Sequence, residues 1–79
     1  MAADINGRRY SYVIGSDLVR DGMYLELSDE TKEPTDILEI FYSDQTHTMT
    51  MTAFRENIPI EVVEWALQQA RARLPSSAD

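Results

Sequence analysis

The chain has 79 residues, with seven Lys and Arg against fourteen Asp and Glu for a formal charge of −7, and it has no cysteine. That length supports one hydrophobic core, and the lack of thiols excludes disulfides and thiolate metal sites. A single domain over 1–79 is expected, structured over about 8–74, with 1–6 and 75–79 as flexible ends.

Four segments alternate apolar and polar residues with the period of half-buried strands. In "RRYSYVIG", Tyr10, Tyr12 and Ile14 share a face, and in "GMYLELSD" Met23, Leu25 and Leu27 do, with Tyr24 and Glu26 opposite. "DILEIFYS" places Leu38, Ile40 and Tyr42 on one side and Ile37, Glu39 and Phe41 on the other. A strand so apolar on both faces is central or doubly covered. "HTMTMTAF" points Met49, Met51 and Ala53 inward and its threonines outward. Gly15 and Gly22 bound the first turn, Pro34 lies in the second, and "SDQTH" makes the third.

The last element, "IPIEVVEWALQQARARL" from Ile58 to Leu74, is a helix. Pro59 suits its first position, Glu61 and Glu64 its positive end, Arg71 and Arg73 its negative end, and Pro75 stops it. At about 100° per residue, Ile60, Val63, Leu67, Ala70 and Leu74 form the stripe expected to face the sheet, with Ala66 on its flank. Ile58, Val62, Trp65 and Gln69 then fall on the far side as an apolar patch around the single tryptophan. That indole either folds back over a sheet edge, meets a second copy, or anchors another protein; the reading adopted is an interface of Ile58, Val62, Trp65 and Gln69 between two copies.

The expected fold is α+β: a four-stranded antiparallel meander with one C-terminal helix packed over the Met23, Leu25, Leu27, Leu38, Ile40, Met49, Met51 face. This order of elements resembles a family of transcriptional coactivators built as four strands and a helix, which dimerise through their helices and bind single strands. The likeness is one of element order, with no motif matched residue by residue.

Chemistry finds little support. His47 is the only histidine and lies in a turn beside Ser43 and Asp44, without an elbow motif. Asp29, Glu30, Glu33 and Asp36 lack the spacing of a calcium loop, and Gly7, Gly15 and Gly22 form no phosphate loop. Glu26 and Glu39 read as cross-strand neighbours on the outer sheet face, where no pocket would tune them for acid and base work. No catalytic, metal or cofactor site is therefore expected.

Residues 21–66 set Lys32 and Arg55 against eleven carboxylates, a middle segment that repels phosphate backbones and anionic lipid. With no apolar run in "MAADINGRRY" and none long enough to span a bilayer, a cytoplasmic protein without membrane contact is expected. The function expected is a small acidic, non-catalytic interaction or homodimerisation domain. The alternative is a single-stranded nucleic-acid binder using the outer sheet face, with contacts at Arg8, Arg9, Arg20, Tyr24 and Phe41.

Overall fold

Asn6 and Gly7 both take positive φ, 53° and 79°. This is the mirror-image turn whose twist matches a pair of antiparallel strands. It joins β1 (Ala2–Ile5) to β2 (Arg8–Asp17), so residues 2–5 are a strand and not a flexible end. The computed structural model describes residues 1–31 and 35–74; the expected flexible end 75–79 lies outside the described residues.

Beyond β2 come β3 (Gly22–Asp29), β4 (Thr35–Ser43) and β5 (Met49–Ala53). The strands lie in the order β1-β2-β3-β4-β5, each antiparallel to the next. The fold is α+β as the pattern implies, with five strands in the meander where the alternation marked four.

The doubly apolar β4 is handled by a bulge. Leu27 opposes Leu38, but Ser28 opposes Asp36, so Ile37 has no partner across the ladder. An inserted residue of this kind bends the strand and re-aims its side chain. Ile37 and Leu38 are consequently both fully buried, although strict alternation puts Ile37 on the outer face.

The helix α1 (Ile60–Arg73) begins with Pro59 as its N-cap and not as its first helical residue. The Pro59 carbonyl accepts from Val62 and Val63 N–H at 3.0 and 3.2 Å. Leu74 ends the helix in an extended conformation, as steric conflict with a following proline favours.

The helix is rolled by about 60° from the orientation the periodicity suggests, reckoning 100° per residue. Val62, Ala66, Ala70 and Leu74 are the residues buried against the sheet, while Ile60 is 66% exposed. The reason lies in the opposing face. Tyr10, Tyr12 and Tyr42 are all buried beside Leu25, Leu27, Leu38 and Ile40, and such large side chains leave room for small ones beneath the helix. The two alanines fill that role. Val63 and Leu67 pack on the core from one flank, and Trp65 from another. In the row through Tyr42, Met23 and Met49 are only partly covered, and Met51, expected in the core, remains 45% exposed.

Candidate functional site

The roll of the helix relocates the expected interface. Val62 is fully buried, and Ile58 and Trp65 are partly buried against the core. The Trp65 and Tyr12 rings lie 5.5 Å apart, tilted by 58°, a favourable aromatic geometry. Tyr12 Oη donates to Gln69 Oε1 at 2.8 Å. Trp65 and Gln69 thus join the helix to β2 through Tyr12, while Val62 is buried in the core and Ile58, just before the helix, packs against it.

What remains open is the sheet face opposite the helix, and the register orders its side chains in rows. Gly15, Tyr24, Phe41 and Thr50 form one row, and Val13, Glu26, Glu39 and Thr52 the next. Ser11, Ser28 and Asp36 form a third. The two glycines are sites of close approach and not merely turn residues. A Cβ at Gly15 would stand 2.5 Å from Tyr24 Oη, and one at Gly22 would meet the Tyr42 carbonyl and come within 2.6 Å of Phe41 Cζ. Each glycine lets an aromatic ring lie flat along the sheet.

The β2–β3 hairpin delivers a cation to this face. Asp17 accepts from the Val19 and Arg20 backbone N–H groups at 3.1 and 3.0 Å, an Asx turn that fixes the tip. Arg20 then lies over the Phe41 ring at 4.1 Å, donates to both oxygens of Glu39 at 2.9 and 3.1 Å, and donates to Asp17 at 2.6 Å. The hydrogen bonds to Glu39, then to Asp17, raise the already high Arg20 pKa further. Asp17 moves the other way, lowered first by the backbone and then the side-chain hydrogen bond with Arg20. Leu18 and Val19, 92% and 96% exposed, form the apolar tip of the same hairpin.

Glu26 has no such neutralisation. It stands directly across from Glu39, with Val13 on its other side and Asp36 one row away. No hydrogen bond or ion pair reaches its carboxylate among the described residues. Its pKa is raised, first by desolvation and then by the charges of Asp36 and Glu39. Among the described residues it is an unpaired acid on the face opposite the helix.

The five residues named for nucleic-acid contact divide. Tyr24, Phe41 and Arg20 meet on this face as direct neighbours. Arg8 and Arg9 sit toward the opposite end of β2, six to seven residues from Gly15 in the Tyr24 row, or about 20 Å away at about 3.3 Å per residue. Arg8 donates to Asp29 at 2.9 Å on the helix-bearing side, and Arg9 pairs with Asp4 at 3.5 Å.

The remaining acids of the second turn are also engaged. Asp29, 4% exposed, takes Arg8, Arg55 at 3.3 Å and the Thr31 N–H at 2.9 Å. Ser11 donates to Glu30 at 2.7 Å and Ser28 to Asp36 at 2.9 Å, while Glu33 lies outside the described residues. His47, at φ 59°, is exposed, and its Nδ1 shares a 3.0 Å hydrogen bond with Tyr42 Oη. Ser43 Oγ instead accepts from Gln45 and Thr46 N–H, so it is not joined to the histidine.

Fold and surface together define a one-sided α+β domain: a sheet covered by a helix on one face and carrying an acidic, aromatic-lined surface on the other. No protein-family model, curated protein or solved structure matches the chain. Among the described residues no helix is long and apolar enough to cross a membrane.

Proposed function

We propose that this is a non-catalytic, acidic protein–protein interaction domain of the cytoplasm, and that its uncovered sheet face receives a partner presenting Lys or Arg side chains. The observation that carries the reading is Glu26: a carboxylate that no cation pairs with among the described residues, across from Glu39 and one row from Asp36, whose pKa is raised first by burial and then by those two charges. An incoming cation at that position would relieve the cost, and Val13, Tyr24 and Phe41 around it offer apolar contact. The same charges oppose a phosphate backbone.

The test is titration of the labelled protein with a short Lys- and Arg-rich peptide at low salt, read by NMR amide shifts. Shifts centred on Val13, Tyr24, Glu26 and Phe41, weakened by Glu26→Gln and by salt, support the reading. Shifts gathered on the helix acids Glu61 and Glu64, or binding indifferent to Glu26→Gln, would overturn it.

Single-strand binding is the second reading, favoured by the meeting of Tyr24, Phe41 and Arg20 on one face. Against it, Arg20 is already committed to two carboxylates. An oligothymidylate that quenches tyrosine fluorescence at low salt, with loss of the effect in Phe41→Ala, would establish it.

A further inference from the structure

The two edges of the sheet are unequally protected. At one, β1 is four residues long and carries Asp4 paired with Arg9. Charge and shortness are the usual guards of an exposed edge. At the other, β5 reads "MTMTA" inside a run from Gln45 to Phe54 without a formal charge, in a chain that is 27% charged.

The edge of β5 is also open along its backbone. Ser43 N–H donates to the Thr48 carbonyl at 3.0 Å and Phe54 N–H to the Ile37 carbonyl at 2.9 Å. Antiparallel ladders alternate, so Thr50 and Thr52 also bond β4, while the N–H and C=O groups of Met49, Met51 and Ala53 point away from it. No turn, loop or cap hydrogen bond reaches those three among the described residues, and every residue from Thr50 to Ala53 is exposed.

We infer that β5 pairs with the β5 of a second copy, antiparallel about a two-fold axis at Met51, making one continuous sheet from two meanders. The sequence is self-complementary in that register. Met51 faces its own mate, Met49 faces Ala53, and Thr50 faces Thr52, giving about six new backbone hydrogen bonds with no charge opposed. Half-exposed Met51 side chains meet on the helix-bearing side and cover one another. Two chains of charge −7 repel over most of their surface, and β5 is a charge-free edge where they can approach. The contact runs along the backbone edge of β5, whereas Glu26 and its acidic neighbours Glu39 and Asp36 lie on β3 and β4, so either can fail without the other.

The experiment is sedimentation velocity on the full chain across concentrations, with Met51→Lys and Met51→Cys alongside. A reversible dimer whose dissociation constant rises at least tenfold in Met51→Lys, with far-UV dichroism and Tm unchanged, is expected. Because the chain has no other cysteine, mild oxidation of Met51→Cys should link the dimer covalently: hydrogen-bonded antiparallel partners stand about 5.5 Å apart at Cα, within disulfide reach. Ala53→Cys, out of register with its own mate, should not link. A monomer at every concentration would overturn the proposal, as would a dimer indifferent to Met51→Lys or equal linking through both cysteines. Capture of a different protein's strand by monomeric β5 would do the same.

Discussion

Replacing Asp29 by Asn tests how one carboxylate holds the sheet, the second turn and the segment before the helix together. Asp29 ends β3 at 4% exposure and gathers Arg8 from β2, Arg55 from the segment after β5, and Thr31. Hydrogen bonds from Thr31, side chain first, then Arg55 and the charge of Arg8, hold its pKa down at about 2 from 3.8, against the opposing effect of desolvation. A gap of that size corresponds to about 2.5 kcal/mol. Arg8 and Arg55 are 56% and 38% exposed, so screening reduces the expected loss in Asp29→Asn to about 1–2 kcal/mol, or about 5–12 °C in Tm. A carboxyl whose folded pKa lies below its unfolded value contributes stability that is fully present above the unfolded value and is lost as pH falls through the folded one. The difference between the native chain and Asp29→Asn, measured by urea unfolding at a series of pH values, should therefore be constant above about pH 5 and fall to about half by pH 3. A difference as large at pH 3 as at pH 7 would show that Asn disturbs packing and that the ion cluster is not the cause.

Gly22→Ala sets a Cβ against the Tyr42 backbone carbonyl and should cost about 2–3 kcal/mol or prevent folding, whereas Gly15→Ala meets only the tip of the Tyr24 side chain and should cost less than about 1 kcal/mol while shifting the Tyr24 ring resonances; equal losses in thermal unfolding would refute the distinction. Trp65→Ala removes the ring that packs on Tyr12 and should lower stability by about 2–3 kcal/mol with the sedimentation mass unchanged, since the indole belongs to the helix–sheet contact. Glu26→Gln should raise Tm at pH 7. Because the folded pKa of Glu26 is raised, the charge destabilises the fold at high pH, and the advantage of Gln should shrink as pH falls through that pKa; an advantage that grew in acid would contradict the sign.

How the chain folds could be read in unequal parts. The four longer strands announce themselves by alternation, and β1 was legible too: Asn-Gly between "ADI" and "RRY" is among the strongest short-range hairpin signals, obscured only because the segment is short and terminal. The bulge at Ile37 was not legible, since alternation takes register for granted and one unpaired residue breaks it. Nor was the face of α1. Apolar residues occupy positions 58, 60, 62, 63, 65, 66, 67, 70, 72 and 74, so the helix offers more than one plausible stripe. Volume on the sheet decided between them: three buried tyrosines select Ala66 and Ala70 and leave Ile60 in water.

The same reasoning explains why the outer face is the better guide to function than the tryptophan. An exposed indole suggests an interface only until a core of this size is found to need it. Here Tyr12 requires a partner for its ring and its hydroxyl, and Trp65 and Gln69 supply both. On the outer face, by contrast, Arg20 neutralises Glu39 and covers Phe41, yet no cation among the described residues pairs with Glu26. Like charges placed directly across a ladder weaken it, and a Thr or Lys at position 26 would remove the conflict while leaving the Arg20–Glu39 pair in place. A domain this small has little stability to spare on a conflict without use. Burial first, and then the charges of Asp36 and Glu39, hold the Glu26 carboxyl above its usual range, and on the proposed reading an arriving cation would offset that local loss.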